Sequence, residues 1–425
     1  MEKSIFDTYE EQLKSREGSS EVIDTLKREL FHQAKTLGIP TRRDEDWRYS
    51  QLKAVRDKAY ALPVQPADAP PVTPLLDKTN GTLVFVNGAY CEKHSDLSNL
   101  PDGVRLSHLN NHLAASEDDR AEALELGETS LVKLNAAMMN AGYVLSVPAG
   151  VTIDQPIEII HCATDAVEQA LQTRLMVQLG EGAAATLLES FSGDNADYWT
   201  NAVMQIRLSE KASLTHYKIQ NEGLNATHTS SVFIDADAES RYQGYNLQTG
   251  AAYGRAEHHV RVLGEEADIR IDGANMAKNG QILDTRTHVD HKVPNAVSDQ
   301  IFRSVLAKKG KSAFQGKVTV ALDAQKTLAD QSCRALLLDR TAEANAKPEL
   351  EIFADDVKCS HGATVGELDE KAFFYLTARG VDPDSARQIL VEAFAADTLE
   401  HVTDDTMRDL INGQILAWMA ALKED

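Results

Sequence analysis

Residues 179–187 read LGEGAAATL, and the same phrase returns as LSEKASLTH (208–216), IDADAESRY (234–242), LGEEADIRI (263–271) and LAKKGKSAF (306–314). Each copy is an apolar residue, a turn of small or charged residues, a small residue, and then alternation. Alternating apolar and polar side chains mark a strand with one buried face. The first four copies start 29, 26 and 29 residues apart, and the fifth follows after 43, which calls for an insertion or an irregular coil. A strand-rich period in the high twenties, with a turn at fixed phase, describes a β-solenoid. No coil of such a fold buries its inner face alone, so stacked coils share one core. Hairpins of a sandwich also recur with turns between them and form the alternative.

On either side the texture is helical. SSEVIDTLKRELFHQAKTLG (19–38) opens on Ser19 or Ser20 as N-cap, carries apolar residues at Val22, Leu26, Leu30, Ala34 and Leu37, and stops at Gly38. A connector with Pro63, Pro66, Pro70, Pro71 and Pro74 follows, a composition that favours extended linker. TLVFVNGAY (82–90) reads as a strand ending in an Asn-Gly turn. After 366, KAFFYLTARG, DPDSARQILVEAFAADTLEHV and TDDTMRDLINGQILAWMAALKED read as three helices, the last with Thr403 as N-cap. The expected organisation is a helical part at 1–60, a linker at 61–78, a β-helix core at 79–365 and a helical part at 366–425. The last of these is expected to cap the solenoid's open end.

Composition narrows the function classes. With 43 basic and 65 acidic residues the net charge is −22, which repels nucleic acid and anionic membrane surfaces. Cys91, Cys162, Cys333 and Cys359 are far apart, neither a disulfide framework nor a zinc ribbon. No basic, apolar leader and no membrane-length apolar run is visible. A cytoplasmic protein with reduced thiols is expected.

The densest chemistry lies in FADDVKCSHGATVGELDE (353–370). On a strand, Asp355, Val357, Cys359 and His361 share one face. A thiol and an imidazole two residues apart suit iron or zinc, yet two ligands are too few for a structural site. Any remaining ligands must come from elsewhere in the fold or from another chain. The same pair is compatible with an inert core thiol beside a hydrogen-bonded histidine. It is also compatible with a Cys–His nucleophile, for which parallel side chains are poor geometry. His258 and His259, and His288 and His291, read as surface or turn residues. GEGA and KKGKSAFQGK lack phosphate-loop spacing.

The runs FRSVLAKKGKSAFQGKVTV (302–320), AQKTLADQSCRALLLD (324–339), KPELEIFADDVKCSHGATVG (347–366) and FFYLTARGVD (373–382) together resemble the SufB/SufD family of the Suf iron–sulfur cluster assembly system. KCSHGAT and GIPTRRDEDWRYSQL (38–52) are similar to the SufD branch rather than the SufB branch. The resemblance implies a mainly β fold, with a right-handed parallel β-helix flanked by helical parts. It implies a non-enzymatic scaffold subunit that pairs with SufB and binds the SufC ATPase through its C-terminal helices. It also implies iron, or an Fe–S cluster, held transiently with SufB at His361, with Cys359 a second candidate ligand. The isolated chain need hold no cluster, and is expected to form a homodimer through unpaired strand edges. Two alternatives remain: a β-helical carbohydrate-active enzyme, against which count the missing leader and the lack of a carboxylate trio on one strand, and a structural adaptor with inert Cys359 and His361.

Overall fold

The computed structural model describes residues 5–14, 20–63, 71–124, 126–127, 129–139 and 141–424. Ser19, Pro66 and Pro70 lie outside them. From residue 157 onward the chain alternates between two parallel sheets. Strands Ile157–Ala163, Ala184–Gly193, Ser213–Asn221, Arg241–Gln248, Asp268–Ala277, Val297–Leu306, Leu328–Leu337 and Lys358–Glu367 stack in one sheet. Strands Ala170–Leu179, Trp199–Leu208, Thr227–Ala236, Tyr253–Val262, Ile282–His291, Lys311–Val320 and Glu343–Ile352 stack in the other. Neighbours within a sheet are alternate strands in sequence, paired in parallel. That connectivity is a β-solenoid and excludes a hairpin sandwich.

The repeat that signals the fold is a backbone demand at one corner. Gly182, Lys211, Glu239, Glu266, Asn295 and Lys326 all have positive φ, at spacings of 29, 28, 27, 29 and 31 residues. The residue after each of the first five is fully enclosed: Ala183, Ala212, Ser240, Ala267 and Ala296. The corner amides bind across coils, as when Gly182 N donates to Glu210 O and Lys211 N to Ala238 O, both at 2.9 Å. LAKKGKSAF, however, belongs to the opposite corner, between Val297–Leu306 and Lys311–Val320. Its 43-residue gap is thus one and a half coils, not an irregular coil. The true fifth copy is KVPNAVS (292–298).

Inward side chains from both sheets form the central core, from Leu83 and Ile157 to Val320 and Cys333. The solenoid's two ends differ. At the start, Gly81–Val86 pairs with Ala89–Tyr90 through Asn87 and Gly88, both at positive φ, and Arg105–His108 pairs antiparallel with Ala141–Val147. Helices Leu109–Ala115, Glu117–Leu124 and Ser130–Met138 also fall within the span read from sequence as β-helix. At the far end, among the described residues, Lys358–Glu367 pairs only with Leu328–Leu337, and Glu343–Ile352 only with Lys311–Val320.

The C-terminal helices do not cap that end. Pro383–Ala396 and Asp405–Glu424 lie along the outer face of the sheet that ends in Lys358–Glu367. Val391, Ala395, Met407, Ile411, Ile415 and Trp418 pack there on Tyr217, Ile219, Tyr245, Leu247 and Met276. The outer face of this sheet is apolar at these coils, so the helices have a larger surface to cover than a solenoid end offers. Asp404, not Thr403, caps the last helix, its Oδ1 accepting from Met407 N at 3.0 Å.

The N-terminal helices cover the outer face of the other sheet, through Phe6, Tyr9, Phe31, Leu134, Trp199 and Tyr253. Ser20 Oγ accepts from Ile23 N at 3.2 Å, and Gly38 (φ 74°) ends that helix. Its buried stripe is Ile23, Leu30, Phe31 and Ala34, with Val22 and Leu37 left exposed. The DEDWRYS segment docks on the same sheet. Arg255 stacks on Trp47 at 4.0 Å and donates to Glu257 Oε1 at 2.6 Å and to Asp46 O at 2.9 Å.

Candidate functional site at the open end of the solenoid

Cys359 and His361 sit on the terminal strand Lys358–Glu367, in register with Ala329 and Gln331. Ala329 and Gln331 are buried and inward, which puts Cys359 and His361 on the lumen side of the last coil. Among the described residues no further coil covers them. Cys359 is half-buried and packs on the central core, whereas His361 is exposed. Ser360, on the opposite face, donates to Asp330 Oδ1 at 2.5 Å. Asp355 does not join the strand. It lies in the preceding corner, where Lys326 N donates to Asp356 O at 2.5 Å.

Burial holds the Cys359 thiol above its ordinary pKa, with a hydrogen bond from Ala329 opposing. A thiol in that condition is a poor nucleophile. A metal ion would have to displace its proton. Among the described residues no group of three or more His, Cys, Asp or Glu side chains is arranged to hold a metal ion. Cys359 and His361 therefore offer at most two ligands from this chain.

The strand histidines correct the sequence reading. His258 and His291 are buried in the lumen, His291 bonding Ser298 Oγ at 2.9 Å. His259 faces out, stacked on Phe233 at 4.8 Å, and His288 meets Thr319 Oγ1 at 3.0 Å. None is a turn residue.

A buried ionisable cluster in the middle of the lumen escaped the sequence reading. Glu189 lies 3.3 Å from His161 Nε2 and 3.5 Å from His216 Nε2. Glu222 lies 2.6 Å from His228 Nδ1, and Lys218 Nζ lies 3.3 Å from His228 Nε2. Burial alone would raise both carboxyl pKa values, but the histidines and hydrogen bonds bring them below the usual range. Burial pulls the Lys218 ammonium down to about 8, against Glu189 and Glu222. The only sequence signal was polar residues at alternate positions, His216, Lys218 and Gln220, where a strand's inner face should be apolar.

Comparison with known proteins adds independent findings. Residues 161–394 match the family model described as SUF system FeS cluster assembly, SufBD core domain, and residues 1–159 match the SufBD protein N-terminal region. The chain is 29% identical over 392 residues to the iron–sulfur cluster assembly protein SufD of Escherichia coli K12, covering 91% of this chain and 90% of that one. It is 28% identical over 418 residues to Protein ABCI7, chloroplastic, of Arabidopsis thaliana, covering 95% and 88% respectively. An iron–sulfur cluster assembly SufBD family protein of Synechocystis is 28% identical over 405 residues, covering 91% and 86%.

Proposed function

The chain belongs to the SufBD family of the SUF iron–sulfur cluster assembly system, and from that premise we propose that it is a non-enzymatic assembly subunit that pairs with SufB through the open end of its solenoid. In this role it supports iron acquisition and nascent cluster formation at that interface, in the cytoplasm. The carrying observation is the exposed terminal strand, hydrogen-bonded on one side only, with His361 on its lumen face. Unpaired strand edges recruit strands from other chains, so a partner seated there meets His361 directly. Iron or the cluster is the cargo. His361 supplies a neutral imidazole to it, Cys359 lies one step deeper as a second candidate, and the partner completes the ligand set. Gly362 has open space around its Cα, so a partner backbone can come close. The isolated chain pairs with a second copy through the same edges.

The SufC ATPase docks on the C-terminal helices. On those helices Phe394, Leu410 and Trp418 are spent wholly or partly on the solenoid and neighbouring helices. What remains outside is Phe374 and Tyr375, 72% and 58% exposed, on helix Glu370–Ala378, with Ile389 at 44%. Beside them a groove of about 410 Å³ is lined by Leu338, Phe373, Arg387, Val391 and Met419.

The test is anaerobic reconstitution with SufB and SufC, scored by bound iron, sulfide and visible absorbance. His361→Ala should keep the complex intact and lower cluster content roughly tenfold or more. Cluster content at the unmodified level would leave a structural adaptor as the function.

A further inference from the structure

We infer that Gln331 is the positioning residue that sets the tautomer of His361, an inference that rests on His361 being the ligand proposed above. Gln331 is directly in register with His361 on the neighbouring parallel strand. Parallel neighbours lie about 4.8 Å apart and send side chains to the same face. Gln331 is only 3% exposed, yet among the described residues neither its Nε2 nor its Oε1 has a hydrogen-bond partner. Leaving such an amide unsatisfied is destabilising. Its flanking inward neighbours, Ala329 and Cys333, are apolar core, so packing alone would favour an aliphatic residue here. Gly316 on the facing sheet leaves room for the amide: a Cβ there would stand 3.0 Å from Gln331 Nε2.

The coil beneath offers the amide one acceptor and one donor. Gln300 is the next residue in the same register column, and its Oε1 accepts from Thr287 Oγ1 at 2.5 Å. That oxygen keeps a second lone pair for Gln331 Nε2. Among the described residues Gln300 Nε2 is itself unpartnered and would meet Gln331 Oε1 in the reverse orientation; a His361 that ligates through Nε2 selects the orientation that leaves Gln331 Oε1 facing the last coil. An imidazole that ligates through one nitrogen keeps a proton on the other, and that proton needs an acceptor. Nδ1 is the ring nitrogen nearest the backbone, so a register neighbour reaches it first. Nδ1–H of His361 is therefore the donor that Gln331 Oε1 would accept from, which leaves the Nε2 lone pair free for the open end. The two side chains are not yet bonded in this structure, since the Gln331 amide is unpartnered. Side-chain rotation of His361 or Gln331 makes the bond.

The experiment uses the full chain with ¹³C,¹⁵N-labelled histidine, free of metal, at a pH where the imidazole is neutral. Ring ¹⁵N shifts report the tautomer directly, and the His361 signals are those lost in His361→Gln. The unmodified protein should show the Nδ1–H form. Gln331→Leu should revert to the Nε2–H form common in water, and Gln331→Glu should retain Nδ1–H. Gln331→Met serves in place of Leu if the latter does not fold. An Nε2–H tautomer in the unmodified protein, or an unchanged tautomer in the apolar variant, overturns the inference. In the reconstituted complex the apolar variant should lose iron roughly tenfold, with rescue by Gln331→Glu. A correct tautomer shift alongside full cluster loading by His361→Ala would sink the ligand role while leaving the positioning role standing.

Discussion

His361 and Cys359 share a face and little else. The thiol packs into the core and titrates upward through burial, while the imidazole stands in solvent. Cys359→Ala should therefore cost on the order of 1 kcal/mol in lost packing and leave most cluster assembly intact, read by urea denaturation and by iron content. Equal loss of iron in Cys359→Ala and His361→Ala would make the thiol a ligand. Deeper in the lumen, burial lowers His258 to about 3, with Lys218, His216 and His259 adding to the shift and Glu189 opposing it. Burial likewise lowers His291 to about 4, against Asp290. Both folded values lie below the unfolded value near 6.5, so the unfolded chain binds protons that the folded one refuses. Stability is retained above pH 6.5 and lost as pH falls, at up to about 1.4 kcal/mol per unit for each group. The urea midpoint should drop between pH 7.5 and pH 5, and His258→Gln should shrink that drop. A midpoint equal at the two pH values would contradict this. The pair at 359 and 361 was legible because a strand's period of two is visible in sequence. The buried cluster was not, because its members come from four strands and the segment following one of them, and only the coil stacking brings them together.

At the scale of elements, helix ends were readable because caps are local: Ser20 and Gly38 stand where a side chain or backbone is needed, and Pro383 opens its helix. Where the helices dock was not readable. An apolar stripe states only that something covers it, and the sheet's apolar outer face, with Tyr217, Ile219, Tyr245 and Leu247, was the cover. Trp418→Ala should cost about 3–5 kcal/mol and free the C-terminal helices, measured by denaturation with proteolysis. A stable, protease-resistant variant would place the packing energy elsewhere. Phe374→Ala with Tyr375→Ala should leave the melting temperature within a degree or two, since both side chains are largely in solvent, yet abolish ATPase capture in a pull-down. Undiminished capture would exclude helix Glu370–Ala378 as the docking surface.

For the whole molecule, the solenoid was legible at the four corners where an acidic or lysine-bearing turn precedes a small residue. It was missed at Asn295 and Lys326 because the left-handed position constrains the backbone, not the residue type. The open end was not legible, since nothing local distinguishes a covered last coil from a bare one. Its exposed edge carries Val365, 48% exposed, and should pair the isolated chain at micromolar concentration. Light scattering should give a dimer, and Val365→Lys a monomer; a monomeric unmodified chain would refute edge pairing. The direct test of the central claim, that this end presents His361 to cargo held with a partner, is pulsed electron paramagnetic resonance of the reconstituted complex. With ¹⁵N-histidine in this chain alone and the cluster reduced to a paramagnetic state, the account predicts a ¹⁵N hyperfine coupling that vanishes in His361→Ala; a fully loaded cluster without that coupling would contradict it.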